Sequence, residues 1–132
     1  MKNRLLSLLA VSALTIGSFC SFVSAEEQTY TIGICQLMEH DALDAATQGF
    51  IDALNAKMEA AGKTVTIDPQ VPGEANLCTT VINTFVSKKV DLIMANATPA
   101  LIAAATATAD IPVLGTSVTE YGVALEIDNF SG

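Results

Sequence analysis

Two hydrophobic periods alternate along the chain. Short runs rich in β-branched residues are followed by longer segments in which apolar side chains recur every three or four positions, the pattern of strands alternating with amphipathic helices. Tyr30 to Gln36 reads as a first strand. Asp41 to Ala61 reads as a helix with Leu43, Ala46, Phe50, Leu54 and Met58 on one face. Gly62 stands where a helix end turns left-handed, which glycine does without a Cβ penalty. Thr64 to Asp68 alternates apolar and polar residues, as an edge strand does. Pro72-Gly73 then turns the chain into a helix from Glu74 to Lys88 whose buried stripe is Cys78, Val81, Ile82, Phe85 and Val86. Asp91 to Ala95 is almost wholly apolar, which a central parallel strand covered on both faces requires. Thr98 is a good N-cap and Pro99 suits the first helical turn, so the alanine-rich stretch to Thr108 predicts a third helix. Ile111 to Gly115 predicts a fourth strand, Thr116 to Thr119 a polar loop, and Val123 to Ile127 one more short strand.

Strands alternating with helices imply right-handed crossovers and an α/β fold: one parallel sheet with helices on both faces, most simply in the order 2-1-3-4. Sheets of this kind bind ligands at the carboxyl ends of their strands, in the crevice where the strand order reverses. Here that point lies between the first and third strands. Four loops reach this edge, spanning residues 36–40, 71–74, 96–98 and 116–119. The candidate ligand-binding residues are Gln36, Glu39, His40, Asp44, Asn96, Ala97, Thr98, Thr116 and Ser117. The helix start at Thr98-Pro99 offers free N–H groups and a positive dipole end, which suit a carboxylate or another small anion. Capping alone also accounts for Thr98, and ligand contact is the added expectation.

The amino terminus places the protein in the cell. Met1-Lys2-Asn3-Arg4 is a short cationic start, Leu5 to Phe22 is mostly apolar, and Val23-Ser24-Ala25 supplies small residues for cleavage. Residues 1–25 therefore read as a secretory signal peptide, and the mature chain as exported to the periplasm or cell surface. A spanning helix needs roughly 20 strongly apolar residues, and this run is diluted by Ser7, Ser12, Thr15, Gly17 and Ser18. A rival processing site is Cys20, which a lipoprotein would carry as its lipid-modified first residue. Phe19 directly before it fits that site poorly. Loss of Lys2 and Arg4 with the leader leaves four lysines against 14 acidic residues, a net charge of −10 without arginine. Nucleic acid is excluded as a partner, because phosphate binding relies on clustered Lys and Arg.

Enzyme chemistry finds no foothold. No Gly-x-Gly-x-x-Gly follows the first strand and no Gly-Lys-Ser/Thr phosphate cradle is present. Neither Ser87 nor Ser117 stands in a glycine-flanked nucleophile elbow. His40 is the sole histidine. Glu39, Asp41 and Asp44 surround it, but the two aspartates are explained by the preference of acidic residues for a helix start. Neither a metal nor a cofactor is expected. Cys35, near the end of the first strand, and Cys78, in the first turn of the second helix, are the two cysteines of the mature chain. Both fall at the crevice edge, where a disulfide and two small buried thiols are both open.

The stretch Ile34-Cys-Gln-Leu-Met-Glu-His-Asp-Ala-Leu-Asp-Ala-Ala-Thr-Gln-Gly-Phe-Ile-Asp-Ala-Leu54 resembles the opening of ABC-importer substrate-binding proteins related to tryptophan-binding lipoproteins. Phe85 to Ala95, Ala97-Thr-Pro-Ala100 and Ile111 to Thr119 resemble the same family's third-strand, helix-start and fourth-strand motifs, in order. The resemblance covers the mature chain. It implies a type I periplasmic-binding fold of two α/β lobes that close on a small solute, act as a monomer and deliver the solute to an ABC permease. Residues 26–132 would be the N-terminal lobe, with the second lobe and a returning segment normally following. The ligand half-site would be residues 36–44, the Ala97-Thr98 helix start and the Thr116-Ser117 loop, with an amino acid or similar small carboxylate as solute. Glu120-Tyr121 departs from the Asp-Pro turn of the family pattern. A sensory receptor module is the nearest alternative, and a flavodoxin-like or hydrolase-like enzyme on the same sheet a more distant one.

Overall fold

The protein is described here by a computed structural model covering residues 28–131. The predicted signal peptide and Cys20 lie outside the described residues. The elements are β1 (Thr29–Gln36), α1 (Asp41–Ala60), β2 (Thr64–Gln70), α2 (Ala75–Lys88), β3 (Leu92–Asn96), α3 (Thr98–Ala107), β4 (Val113–Thr116) and α4 (Tyr121–Ala124). The four strands form one sheet, all pairs parallel, in the order β2-β1-β3-β4 predicted from the sequence.

Side-chain alternation along the strands sorts the sheet into two faces. Gly33 and Cys35 face α2: a Cβ added at Gly33 would lie 2.6 Å from the Phe85 ring, so the helix sits directly on the strand backbone. Ile32, Ile34 and Gln36 face α1 instead. The α2 and α3 side holds the core cluster, which includes Cys35, Cys78, Ile82, Phe85, Ile93, Ala95, Ala100, Leu101 and Ala104. The small alanines of α3 let it pack closely against both the sheet and α2, since a bulkier face would hold it away. The other face is covered differently. Leu43, Ala46, Phe50, Leu54 and Met58 do point inward along one stripe, yet no residue of α1 is fully buried.

Element ends follow local chemistry. Ala61 is the C-cap of α1 and Gly62 takes φ +64°, as its position predicts. Lys89 ends α2 in the same left-handed region at φ 54° without glycine's freedom. The free edge strand β2 carries Pro69, which removes one ladder donor and discourages pairing with a further strand. Beside it Lys88 Nζ lies 2.9 Å from Asp68 Oδ2. A hydrogen bond from Gln70 and then the Lys88 ammonium hold the Asp68 carboxyl below its ordinary value of 3.8.

Two sequence expectations are corrected. Residues 123–127 are not a strand: the segment opens with the short helix α4, because the Glu120 carboxylate accepts from Gly122 N at 3.0 Å and Val123 N at 2.8 Å. These bonds supply the first-turn donors with an acceptor that a strand pattern of three apolar residues could not outweigh. Thr98 is not the N-cap of α3. Ala97 holds that position and Thr98 is the first helical residue, its hydroxyl accepting instead from Thr119 N at 3.3 Å. Among the described residues no helix is long and apolar enough to cross a membrane.

Candidate functional site

Parallel pairing brings the carboxyl ends of the strands to one edge. Gln36 of β1 is in register with Asn96 of β3, and Asn96 with Thr116 of β4. The three polar residues thus form a row across the strand-order reversal, each at the last position of its strand. The loops that follow are tied to one another by backbone. Leu37 N donates to Asn96 O at 3.1 Å, Gly73 N to Leu37 O at 2.9 Å, and Ala97 N to Thr116 O at 3.0 Å. All four loops predicted to share this edge are therefore joined there.

Most of the polar side chains in the row are engaged from within. Gln36 is 3% exposed and Asn96 fully buried. Gln36 Nε2 donates to Asp44 Oδ1 at 2.5 Å and to Met38 O at 2.8 Å, and its Oε1 accepts from the Thr47 hydroxyl at 2.6 Å. Asn96 Nδ2 donates to Leu43 O at 2.8 Å and to Thr47 Oγ1 at 2.9 Å. Asp44, Gln36, Thr47 and Asn96 form one chain of hydrogen bonds that fastens the first turns of α1 to the sheet edge. Asn96 Oδ1 is buried with no hydrogen-bond partner.

The remaining candidates divide by exposure. Glu39 and His40 are exposed, and His40 caps α1, its Nδ1 accepting from Ala42 N at 3.2 Å. Thr98 and Thr116 are half-buried and Ser117 is exposed at φ 55°. Ala97 is buried at φ 95°, ψ 155°, a region that glycine alone occupies freely. It aims the start of α3 at the crevice, and the first N–H groups of a helix have no acceptor inside it. A concavity of about 560 Å³ lined by Val118, Thr119, Tyr121 and Phe130 adjoins this start, coupled to it by the Thr119–Thr98 hydrogen bond.

Three site features escape the sequence reading. Thr47 joins Gln36 to Asn96, and its signal was a lone hydroxyl at the position four after Leu43 on the inward stripe of α1. Tyr121 braces β4 by donating its hydroxyl to Gly115 O at 2.9 Å. Met38, Val71 and Leu77 are 41%, 46% and 42% exposed around the same edge. Among the described residues no group of three or more His, Cys, Asp or Glu is placed to hold a metal. Cys35 and Cys78 are both buried free thiols.

Known proteins share this architecture. A tyrosine-binding protein of Clostridioides difficile (strain R20291) is 44% identical over 90 residues, which are 67% of this chain and 26% of that protein. The ligand-free, open structure of a substrate binding protein with adhesive properties from Clostridium difficile superposes with a TM-score of 0.67 at 41% identity, covering 72% of this chain and 32% of that one. An ABC domain in complex with L-Trp from Streptococcus pneumonia gives 0.65 at 31% identity, covering 74% and 33%. The chain thus spans about a quarter to a third of these relatives. Residues 31–131 match the family described as ABC transporter substrate binding protein, and this chain, with its parallel 2-1-3-4 sheet and loops gathered at one edge, belongs to that family of solute binders rather than enzymes.

Proposed function

We propose that the chain forms the N-terminal lobe, residues 26–132, of an extracytoplasmic solute-binding subunit that passes an amino acid or similar small carboxylate to an ABC permease. Family membership supports the class of function. The observation that carries the solute class is the start of α3: Ala97 turns the backbone there, no side chain caps the helix, and its positive dipole end opens at the crevice edge. A solute carboxylate is the complement of that edge, with the Thr98, Thr116 and Ser117 hydroxyls beside it. Gln36, Asn96 and Asp44 serve by holding α1 and the edge in shape, while the exposed Glu39, and His40 through the ring nitrogen that does not cap α1, meet the solute from the first loop. The exposed apolar side chains of Met38, Val71 and Leu77 favour a solute with an apolar portion. The relatives named for tyrosine binding and solved with L-Trp agree with such a solute.

Capture follows from closure of a second lobe over this edge, which removes the solute from water and strengthens each polar contact to it. Thermal melting of the full-length protein against a panel of proteinogenic amino acids tests the reading. A ligand at a hundredfold excess over its Kd stabilises the folded state by about 2.7 kcal/mol, so a clear upward shift is expected for at least one amino acid. Silence across the panel overturns it.

A further inference from the structure

Cys35 and Cys78 stand opposite each other for a geometric reason. The Phe85 ring rests on Gly33, which fixes α2 over β1 at that level. Cys35 lies two residues further along the strand on the same face, an advance of about 7 Å toward the crevice. Because α2 runs back against the strand direction, Cys78, seven residues before Phe85, lies about 10.5 Å the same way and on the same helical face. The two thiols therefore meet within side-chain reach. Both are fully buried in one cluster, and the neighbouring Cys78 adds to the upward shift that burial imposes on the Cys35 thiol. Cys78 also donates weakly to Glu74 O at 3.7 Å.

We propose that Cys35 and Cys78 form a structural disulfide in the exported protein, stapling the end of β1 to the first turn of α2 beneath the crevice loops. This rests on the extracytoplasmic placement proposed above, since thiols stay reduced in the cytosol. The two thiols give up two protons and two electrons to a small-molecule or protein disulfide, which leaves as two thiols, and an Sγ–Sγ bond forms in place of two S–H bonds. Burial holds the thiols in the unreactive neutral form once folded, so oxidation takes place while α2 is still unseated. The same burial then shields the bond from reductants.

The test refolds the reduced, unfolded full chain in a glutathione redox buffer, then unfolds it and alkylates it for peptide mapping. The expected result is a linked Cys35–Cys78 peptide pair with neither thiol alkylated. The oxidised chain should melt at least about 10 °C above the same chain kept in reductant, a difference absent from Cys35→Ala and Cys78→Ala. Recovery of both thiols in alkylated form would overturn the proposal, as would linkage of either to Cys20 or to a second chain. Mapping of the unsubstituted chain decides the matter even if neither variant folds. Protease accessibility in intact cells tests the placement separately, so failure of one is not mistaken for failure of the other.

Discussion

Ala97 joins β3 to α3 at φ 95°, ψ 155°, and an alanine Cβ in that region costs about 1–3 kcal/mol. Its amide is held by Thr116 O and its carbonyl by Leu101 N, so the surrounding bonds impose the conformation. Ala97→Gly is expected to stabilise the fold by about 1 kcal/mol, the strain relieved less the extra backbone entropy of glycine in the unfolded chain. Urea denaturation checks this, and a loss of stability would show that the alanine is unstrained. Cys35 makes a second residue-scale statement. Burial pushes its thiol from 9.0 up to about 12, with the neighbouring Cys78 pushing the same way. Below pH 9 both states keep the proton and nothing changes. Above it the unfolded chain releases the proton and the folded one does not, so stability of the reduced protein should fall by about 1.4 kcal/mol per pH unit. The loss should be missing only from a chain lacking both thiols, because the Cys78 thiol is also pushed up by burial and stays so in Cys35→Ala. The two residues differ in what the sequence advertised: an alanine before a helix carries no sign of positive φ, whereas the strand and helix pattern already brought Cys35 and Cys78 to one edge and left only their depth of burial to the structure.

At the scale of elements, the crevice edge is built by α1 as much as by the strands. Thr47 both donates to Gln36 and accepts from Asn96, and these two close the switch point of the sheet. Thr47→Val keeps the shape of the side chain and removes the hydroxyl, leaving Gln36 Oε1 without that donor. A cost of about 1–3 kcal/mol is expected, with recovery in Thr47→Ser, read by urea denaturation; equal stability of the Val and Ser variants would show that the latch contributes nothing. The seat of α2 on β1 makes an independent prediction. Gly33→Ala drives a methyl to 2.6 Å from Phe85, and the displacement of α2 should cost at least about 2 kcal/mol. Strand order and helix positions were legible because burial imposes a period on long segments: Leu92–Asn96 can only be a covered strand, and Phe85 can only face the sheet. What was not legible depends on single side chains meeting across the fold. Glu120 capping α4 replaced the strand expected at 123–127, and Thr98 yielded the cap to Ala97. Asn96 and Gln36 were rightly brought to one edge, but only the structure shows their polar groups turned toward α1.

For the whole molecule, the two faces of the sheet are unequally protected. On one, α2 and α3 bury Cys78, Ile82, Phe85, Ala100, Leu101 and Ala104 with the strands. On the other, α1 buries none of its residues fully. Leu114, which faces that side because Gly115 faces Leu101 and Tyr121, is 48% exposed. Apolar area removed from water sets how far an element's opening energy rises above zero. The hydrogen-bond chain through Thr47 therefore holds α1 mainly at its first turns, and the far end, toward Met58, rests on a half-buried stripe. Native-state hydrogen exchange of the chain should accordingly rank the amides: those of β1, β3, α2 and α3 protected to the global unfolding free energy, those of α1 exchanging through a lower-energy local opening that begins at its C-terminal turns. Solute binding at the edge would order the first loop, so it should slow exchange at the start of α1 more than at its end. Uniform protection across α1 and α2 would mean that the half-buried stripe is as well anchored as the core.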